Sequence, residues 1–425
     1  MRATFILTMG FLVNMMAWIT FLLFARLAWV FYLNLGMVFF LIFFLLVAFI
    51  GYFPRKPDSL PDHREQFDER DHMFSRNNLK FHAELHRKYY SRHPEKKAVD
   101  EKIHRQSELG DTSHTYFDPD HSPIFDAAFS FLDRIRPFAK GEVKPRLQDI
   151  DPATVTGIIK KIALYYGAVD VGISPLETYH LYSHAGRHGS DWGKPIDNHH
   201  KMAIVIVVAM DVDMMTQAPA LPAILESSRQ YVEAAKIAYI IAEYLRHLGY
   251  DARAHSDGNY ETLCVPLAVS SGLGELGRMG ILVHKTYGPC VRLSVVTTEL
   301  ELLPTAKGAF HIDDFCRICK KCAENCPTKS IASGDQPSSR GFQHWSVDPE
   351  RCFSFWKKIG SDCGFCIRVC PYTKPDTLFH RLIRFYVSRN PINQRIALFF
   401  DDLLYGRKPS LPHRNPKRLF WTFRP

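Results

Sequence analysis

Two long uncharged segments open the sequence. Residues 3–25 and 27–54 contain no charged side chain and are dense in Phe, Leu, Ile, Met and Val, with only Arg26 between them. Each segment exceeds the roughly 20 apolar residues that a membrane-spanning helix needs. We therefore predict a transmembrane helical hairpin that turns near Arg26 or near residues 34–36. The alternatives are a single span and a signal peptide, but a signal peptide would show one short apolar core and a small-residue cleavage site.

A polar stretch and then an alternation of helical and strand-like segments follow the apolar segments. Residues 55–145 have few apolar periods and are rich in His, Asp and Arg. We interpret them as a polar juxtamembrane linker, or N-terminal extension, that gains structure against the rest of the chain. Residues 146–310 carry the alternation of helices and strands with glycine turns, which favours a mixed α/β or α+β domain.

Several elements of that domain can be predicted from their patterns. Residues 155–167 have helical periodicity and stop at a glycine, and the continuous apolar run 202–210 is typical of a buried strand. Ser227 and Gln230 have the spacing of a capping box, which predicts that a long helix begins there and ends before Gly249. Shorter strands are expected near residues 170–173, 252–255 and 291–300.

Eight of the ten cysteines form two runs in the last third of the chain. The first run has the spacing C-x2-C-x2-C-x3-C-P from residue 316, and the second has C-x10-C-x2-C-x3-C-P from residue 352. The first is the bacterial ferredoxin spacing, in which the fourth cysteine binds the other of two [4Fe–4S] clusters. A zinc ribbon would lack the x3-C-P ending, and disulfides would not need this spacing twice. The sequence therefore predicts two [4Fe–4S] clusters and one-electron transfer.

Crossed-over ligation divides the eight thiolates into two sets. The first cluster set is Cys316, Cys319, Cys322 and Cys370, and the second cluster set is Cys326, Cys352, Cys363 and Cys366. A ferredoxin-like domain is expected at residues 311–378, followed by a C-terminal tail, residues 379–425, that packs on the core. Cys264 and Cys290 stand alone in apolar surroundings and are expected to be buried small residues rather than ligands.

The distribution of charge favours a membrane surface as partner. The net charge is +9, and much of it lies in residues 55–145 and after Lys374. Nucleic acid is not the expected partner, because no recognition motif accompanies the charge, whereas an anionic membrane explains it. In a hairpin, Arg2, Arg55 and Lys56 would lie on one side. The positive-inside bias then predicts that both ends, and the bulk of the chain, face the cytoplasm at the inner membrane.

A glycine-rich block precedes the last predicted strand. Its spacing from Gly272 to Gly277 is G-x-G-x-x-G, as in a dinucleotide fingerprint. A dinucleotide site also needs a preceding strand and an acidic residue about 20 positions on. Here residues 263–270 end in small side chains, which do not indicate a strand that leads into the glycines. We therefore expect the glycines to permit a close backbone approach, either to a bulky ligand or to another segment.

Several stretches of the sequence together resemble the corrinoid- and iron–sulfur-dependent reductive dehalogenases. The resemblance covers about residues 150–410 and rests on HKMAIVIVVAMDVDMM, AEYLRHLGYDARAHSDGN, GLGELGRMGILVHKTYGPCVRL, FCRICKKCAENCP, CFSFWKKIGSDCGFCIRVCP and DDLLYGRKP. Epoxyqueuosine reductase, a soluble tRNA-modifying enzyme, has the same architecture in shorter form, but the C-F-x-F-W stretch and the YGRKP tail favour the dehalogenases. The resemblance implies an α+β fold in which a nitroreductase-like domain binds base-off cobalamin beside a bacterial two-[4Fe–4S] ferredoxin domain.

The resemblance also implies roles for individual residues. Reduced cobalt would cleave a carbon–halogen bond, and an acid would then protonate the carbon. Tyr231 matches that acid, Arg292 the neighbouring cation, and Asn259 a polar residue that faces corrinoid and substrate; Tyr260 is a reserve acid. Independently, a first-turn position would favour the phenolate of Tyr231 through the helix dipole, and an arginine would lower its pKa further. Tyr231 could instead be a core residue, because it lies on the apolar side of its helix.

The residues matched to corrinoid binding lie in three parts of the sequence. They are Ser256, Gly274, Gly277, Arg278, Met279, Gly280 and Trp356. Trp356 is expected between a cluster and the corrinoid, with ordinary packing as the alternative.

The amino-terminal segments set the chain apart from respiratory members of the family. Those members carry a twin-arginine export signal and use a separate anchor, whereas here Arg2 stands alone before the apolar segments. The resemblance thus implies a membrane-tethered oxidoreductase that replaces halogen by hydrogen on an organohalide. Its electrons would come from a ferredoxin, a flavodoxin or a quinol-linked membrane partner.

Two other functions stay open beside this one. The first is a corrinoid and iron–sulfur reductase of a non-halogenated substrate such as an epoxide. The second is a membrane-bound electron carrier, which the size of the middle domain disfavours because two clusters alone need fewer than about 100 residues.

Overall fold

The amino-terminal apolar segment forms one helix. In the computed structural model, which describes residues 2–49, 65–146, 149–336, 338–339 and 342–408, α1 runs without a break from Arg2 to Phe49. The predicted hairpin is therefore wrong. A lone glycine costs a helix only about 1 kcal/mol, and the Asn34 amide donates to the Val30 carbonyl oxygen at 2.8 Å, so residues 34–36 continue the helix instead of turning. Residues 12–43 are long and apolar enough to cross a membrane, by length and composition.

Short helices fill the segment expected to be a polar linker. They are α2 (Met73–Asn78), α3 (Ala83–Tyr90), α4 (Pro94–His104) and α5 (Ser122–Ile135). The amphipathic α5 buries Phe125 and Leu132 and packs on a long helix of the central domain, while α4 packs on a helix of the cluster region. The segment thus lies against the rest of the chain, and residues 50–64 and 147–148 lie outside the described residues.

A buried ion pair joins this segment to the cluster region. Arg76 is 2% exposed and donates to both oxygens of Asp100, at 2.9 and 2.6 Å, while its third nitrogen donates to Glu350 at 2.6 Å. The Tyr90 hydroxyl donates to Asp100 at 2.7 Å. Because a buried charge is stable only when it is paired and hydrogen-bonded, this arrangement fixes how the two segments meet.

We expect Asp100→Ala to lower the free energy of unfolding by about 3–5 kcal/mol, since it leaves the Arg76 charge buried with one partner fewer. Urea unfolding of detergent-solubilised protein, followed by far-ultraviolet circular dichroism, measures this loss. The matched control is Glu350→Ala, whose side chain is 28% exposed and whose removal should cost less. A loss for Asp100→Ala no larger than that for Glu350→Ala would contradict the assignment.

The central domain is built on a four-stranded antiparallel sheet. The strands of the chain are β1 (Asp170–Pro175), β2 (Met202–Ala209), β3 (Ala252–His255), β4 (Gly274–Leu276), β5 (Leu282–His284), β6 (Val291–Thr298), β7 (Ser338–Ser339) and β8 (Phe342–Gln343). The order in the main sheet is β1-β2-β6-β3, whereas β4 pairs with β5 and β7 with β8. Strands near 170–173, 202–210, 252–255 and 291–300 were predicted and are confirmed.

Both faces of this sheet are covered. The helices of the domain are α6 (Pro152–Tyr165), α7 (Val212–Met215), α8 (Leu221–His247) and α9 (Cys264–Ser270). Ile204 and Ile206 of β2 point into a core with α6 and α8, while Val205 and Val207 point into a second core with α9 and the β4–β5 hairpin. Side chains alternate between the faces of a strand, so a strand covered on both sides must be apolar throughout, as 202–210 is.

The long helix begins earlier than its capping pattern predicts. α8 starts at Leu221 with Pro222 in its first turn, a position that suits proline because the N–H it lacks has no partner there. The Ser227 hydroxyl donates to Asp362, and the Gln230 amide donates to Glu226, so neither residue caps a helix. Tyr231 consequently lies in the third turn, where the helix dipole has little effect. The predicted first-turn position of Tyr231 is wrong.

The cysteine runs and the end of the described chain form small helices. These are α10 (Ile312–Cys319), α11 (Lys321–Asn325), α12 (Pro349–Ile359), α13 (Phe365–Arg368), α14 (Leu378–Val387) and α15 (Pro391–Tyr405). α10 packs on α15 and on β4, so this region is joined both to the tail and to the central domain. Residues 409–425 of the predicted tail lie outside the described residues.

Candidate functional site

The cysteines of the two runs meet in the two sets that crossed-over ligation requires. Burial raises the pKa of the Cys370 thiol, and the neighbouring thiols of Cys316, Cys319 and Cys322 raise it further. Burial likewise raises the pKa of Cys366, whose neighbours are Cys363, Cys352 and Cys326. Charge effects fall off with distance, so Cys370 and Cys366 each lie near the other three members of their own predicted set. Cys370 therefore lies with three cysteines of the first run rather than with the cysteines that precede it in the second run.

The two sets also adjoin each other. The pKa of Cys322 is raised to about 12, first by burial and then by Cys366 of the second set. All ten cysteines are free thiols. Six members of the two sets are buried, and Cys352 and Cys366 are half-buried. Two adjacent groups of four enclosed thiols fit two [4Fe–4S] clusters, which bind cysteine as thiolate.

Basic side chains surround the first cluster set. Lys321, which is 1% exposed, forms ion pairs with Asp401 and Asp402 of α15, and its charge lowers the pKa of Cys319, although burial dominates and raises that pKa to about 11. Arg407 donates to the Cys319 carbonyl oxygen at 2.9 Å. Hydrogen bonds and charges of this kind adjust the potential of a cluster.

Tyr231 and Arg292 lie against each other. The guanidinium carbon of Arg292, on β6, is 4.7 Å from the ring centroid of Tyr231, on α8. α8 packs directly on β6, so the fold brings the two residues together from positions far apart in sequence. Burial raises the pKa of the Tyr231 phenol to about 12, and Arg292 opposes that rise. The phenol therefore stays protonated at neutral pH, and the cation beside it would stabilise its anion.

Asp362 ties this pair to the second cluster set. Its carboxylate accepts a hydrogen bond from Ser227 at 2.8 Å and lies 3.8 Å from Arg292, which itself donates to Ser227 at 2.5 Å. Cys363 of the second cluster set is the next residue. The side chains of Arg292 and Asp362 are 15% and 16% exposed, so both still reach open space.

Further acidic and phenolic groups enclose the same space. Burial raises the pKa of Asp257, and Arg187 and Arg292 oppose that rise. The hydroxyl of Tyr260, the reserve acid, donates to the Leu293 carbonyl oxygen at 3.2 Å, and burial raises its pKa well above the usual value. A phenol whose hydroxyl is already bound to the backbone is less able to serve a substrate than Tyr231.

Asn259 is turned toward other partners. Its side-chain oxygen accepts a hydrogen bond from Arg253 at 3.1 Å, and its nitrogen donates to the Arg136 carbonyl oxygen at 3.4 Å. These contacts join the loop after β3 to the end of α5. The structure thus gives Asn259 a bridging role that the resemblance did not imply.

Two buried polar atoms near the pair have no protein partner. The hydroxyl of Ser256 and the Nε atom of Arg292 are buried without a hydrogen bond. A buried polar group without a partner costs about 1–3 kcal/mol, so both atoms fit a site that binds a polar ligand. Ser256 was predicted from the resemblance to bind the corrinoid, and its unpartnered hydroxyl fits that role.

The glycine block approaches other segments of the chain. A Cβ atom on Gly274 would lie 2.2 Å from the Val283 carbonyl oxygen, one on Gly277 would lie 2.6 Å from the Val283 side chain, and one on Gly280 would lie 2.9 Å from the Val347 side chain. Gly280 also has a φ of +76°. The sequence predicted that these glycines permit a close approach either to a ligand or to another segment of the chain. In the structure they approach another segment, and this contact shapes the β4–β5 hairpin.

Arg278 and Met279 bind the hairpin to the first cluster set. The Arg278 side chain donates to the carbonyl oxygens of Cys316 at 3.0 Å and of Ala332 and Gly334 at 2.8 Å, and it stacks on Trp345. Met279 lies in the same buried core as the cysteines of that set. Both predicted corrinoid residues thus contact the cluster region.

Trp356 lies beside the second cluster set. It packs edge-on against Phe74, at 6.2 Å between ring centroids. It also contacts Cys352. Its hydrogen bond lowers the pKa of the Cys352 thiol, but burial raises that pKa by more. Cys264 and Cys290, which were expected to be buried non-ligands, have pKa values raised to about 12 by burial. Cys290 is buried and Cys264 is half-buried.

Comparisons with known proteins bear on the cluster region and the fold. A family model described as a 4Fe-4S dicluster domain matches residues 315–374. A tetrachloroethene reductive dehalogenase of Desulfitobacterium hafniense is 36% identical over 233 residues, which are 52% of this chain and 42% of that protein. One from Sulfurospirillum multivorans is 29% identical over 296 residues, 61% of this chain and 59% of that protein. Over about half of its length, the chain is homologous to these reductive dehalogenases.

The chain spans about half the length of these curated relatives. Its relation to epoxyqueuosine reductase is weaker, with 30% identity to the Lactococcus garvieae enzyme over 115 residues, which are 26% of this chain and 32% of that one. The solved catabolic reductive dehalogenase NpRdhA superposes with a TM-score of 0.68 at 24% identity, over 85% of this chain and 49% of that one. The fold is therefore a reductive dehalogenase fold with a dicluster ferredoxin region.

Sequence reasoning missed the residues that link Arg292 to the second cluster set. Asp362 directly precedes Cys363 in the G-S-D-C-G-F-C stretch. A carboxylate next to a cluster ligand was the sequence feature that could have indicated it. Ser227 was assigned to a cap, and its hydrogen bonds to Arg292 and Asp362 depend on the true start of α8. Asp257 adjoins the predicted Ser256 and was not singled out.

We expect no phenolate from Tyr231 at pH 10, where an ordinary tyrosine is half ionised, because burial raises its pKa to about 12. The measurement is the ultraviolet difference spectrum between the wild type and Tyr231→Phe, recorded from neutral pH to pH 10. Arg292→Gln removes the cation that lowers this pKa, so the spectrum should still show no phenolate. A phenolate band in the wild type below pH 10 would mean that the charge of Arg292 outweighs burial.

Proposed function

We propose that the chain is a membrane-tethered, corrinoid-dependent reductive dehalogenase. It replaces a halogen of an organohalide by hydrogen, with electrons delivered through two [4Fe–4S] clusters. The domains proposed for this task are a nitroreductase-like corrinoid-binding domain at residues 146–310 and a ferredoxin-like domain at residues 311–378. The homology to reductive dehalogenases and the dicluster match support the reaction class.

One observation carries the proposal. The Tyr231–Arg292 pair is tied through Asp362 to the loop that supplies Cys363 of the second cluster set. The reaction consumes two electrons and one proton, since an organohalide R–X becomes R–H and a halide ion. A proton donor beside the cluster ligands brings the source of the proton and the source of the electrons to one place. A simple electron carrier would not need a proton donor there.

The residues of the site fit a corrinoid. When bound, a base-off corrinoid supplies the reduced cobalt that breaks a carbon–halogen bond. The Ser256 hydroxyl, which is buried without a partner, would donate to or accept from a polar group of its periphery. Trp356, which contacts Cys352, would lie between the second cluster and the corrinoid, and Asn259 would act by holding the loop that carries Ser256.

The protein's own residues handle the proton. Tyr231 holds it at neutral pH, because burial raises the pKa of the phenol to about 12. The phenol gives the proton to the carbon that loses the halogen, and Arg292 stabilises the phenolate across the 4.7 Å between its guanidinium carbon and the ring centroid. Ser227 and Asp362 hold the guanidinium in place. Electrostatic stabilisation of this kind acts in the transition state, where the negative charge on the phenol develops.

α1 supports the proposed tether and inner-membrane location. One helix of the described chain has the length and composition of a membrane span. With a single helix its two ends lie on opposite sides, and the positive-inside bias favours the cytoplasm for the end followed by Arg55 and Lys56. The catalytic domain would then face the cytoplasm, where a ferredoxin, a flavodoxin or a quinol-linked membrane partner could supply electrons.

The cofactor content tests the proposal against a simple electron carrier. We expect the anaerobically purified full chain, reconstituted with iron, sulfide and cobalamin, to hold about eight irons and one cobalt per chain, as two cubane clusters and one corrinoid require. The matched control is the Ser256→Val variant, which should keep the iron and bind less cobalamin. Iron without retained cobalamin in the wild type would contradict both corrinoid-dependent reductase functions.

A further inference from the structure

The last two helices of the described chain turn apolar side chains outward. α14 and α15 pack on each other, joined by a three-residue connection. Eight large apolar residues of this helix pair are each more than half exposed, and we call them the outer face: Leu378, Phe379, Leu382, Phe385, Ile392, Phe399, Leu403 and Leu404. An apolar patch of this extent on a soluble surface is uncommon and marks a binding surface.

Most polar residues of α15 point the other way, into the protein, and the exposed Arg395 is the exception. Asp401 and Asp402 pair with the buried Lys321 beside the first cluster set. The Gln394 side chain donates to the His311 carbonyl oxygen at 3.1 Å. A helix on a water-exposed surface buries its apolar stripe and exposes its polar one. α15 packs Ala397 and Leu398 inward but also exposes Phe399, Leu403 and Leu404, which suits a helix whose outward side meets lipid.

The charge of the two helices matches an anionic surface. Between residues 378 and 400 there are four arginines and no acidic residue, and two of them, Arg381 and Arg384, pair with Asp376 just before α14. Arg395 of this group is exposed and stands near Phe399 at the edge of the outer face. Helices that lie in the plane of a membrane combine an apolar side with Lys and Arg in this way, because anionic lipid headgroups attract the basic residues.

The outer face also adjoins the candidate membrane span. An open groove runs between α1 and α15, lined by Met37, Phe40 and Leu41 on one side and by Ile396, Phe399 and Phe400 on the other. Every side chain described on residues 12–43 of α1 is exposed. The two apolar surfaces are therefore continuous, and a bilayer that takes up α1 would reach α15.

We propose that the outer face docks on an anionic phospholipid bilayer, next to α1. The inference rests on the membrane tether proposed above but not on dehalogenation. It fixes the orientation of the cluster region, because α15 packs on α10, which carries Cys316 and Cys319. The first cluster set then lies nearest the membrane, so its electrons would arrive from a donor within or on the bilayer.

Photolabelling of the full chain tests the docking. The protein is placed in nanodiscs of phosphatidylcholine and phosphatidylglycerol that contain a phospholipid with a diazirine in its acyl chain. After illumination, mass spectrometry locates the lipid adducts. We expect adducts on peptides from α14 and α15 as well as α1, since apolar side chains of such helices insert about 5–10 Å. Adducts on α1 without any on α14 and α15 would overturn the inference and leave the tether intact.

Paired variants make the test specific. Phe399→Asp with Leu403→Asp should remove the adducts from α15, while the adducts on α1 and the iron content stay as in the wild type. Leu164→Asp with Tyr165→Asp, at residues 51% and 84% exposed on α6, is the matched control and should change no adduct. If α15 stays unlabelled and the detergent-solubilised wild type is a dimer that the Phe399→Asp and Leu403→Asp changes dissociate, the outer face binds a second copy and the inference fails.

Discussion

Replacing Tyr231 with phenylalanine should lower dehalogenating turnover by about 10²–10⁴-fold, the usual contribution of a positioned general acid. The change removes one oxygen, so the ring and its contact with Arg292 remain. The loss should appear in kcat rather than in substrate binding, because the proton is transferred only in the transition state. Halide release driven by reduced methyl viologen under anaerobic conditions gives the rate.

Tyr239→Phe is the matched control for this variant. Tyr239 lies on the same helix, two turns further on, and its hydroxyl is buried without a hydrogen-bond partner. Its removal should leave both turnover and iron content unchanged. If Tyr231→Phe kept full turnover while Tyr239→Phe behaved as expected, another group would have to supply the proton, and Tyr260 would be the next to test.

Replacing Cys370 with serine should remove the first cluster and nearly all turnover. Although Cys370 belongs to the second run, its thiol faces Cys316, Cys319 and Cys322, so the variant should lose about four of eight irons and keep the second cluster. Iron analysis and electron paramagnetic resonance of the reduced protein measure the loss. Electrons that enter through the first cluster could then no longer reach the site.

Two controls distinguish this effect from general damage. Cys290→Ser alters a buried cysteine outside both sets and should keep all the iron. Cys326→Ser, in the first run, should remove the second cluster and spare the first. If Cys370→Ser and Cys326→Ser removed the clusters of their own runs instead, the crossed-over ligation would be wrong.

Local patterns were sufficient for the parts of the molecule whose geometry is local. The C-x2-C-x2-C spacing follows from the size of a cluster, and the continuous apolar run 202–210 follows from a strand covered on both faces. The cross-over of Cys370 could be predicted because it recurs with this spacing. The spacing and the apolar run need no knowledge of how distant segments meet.

The features that were missed depend on such knowledge. The capping pattern at Ser227 was overridden by Pro222, which starts α8 earlier, and Ser227 was free to bind Asp362. That shift also moved Tyr231 away from the first turn, so the helix dipole does not lower the pKa of its phenol. Burial raises that pKa instead. The close approach of Gly274 to Val283 could not be distinguished from an approach to a ligand, because a glycine is equally permissive for both.

Halide release from the full chain is the direct measurement of the proposed dehalogenation. The anaerobically purified protein, reconstituted with cobalamin and both clusters, is supplied with reduced methyl viologen and a panel of haloaromatic and haloalkene compounds. Ion chromatography then measures free chloride and bromide. We expect catalytic halide release from at least one compound, with formation of an equal amount of the hydrogen-substituted product. The Tyr231→Phe variant should lose this release. A fully loaded protein that oxidises viologen with an epoxide but releases no halide from any compound would contradict the proposed dehalogenation.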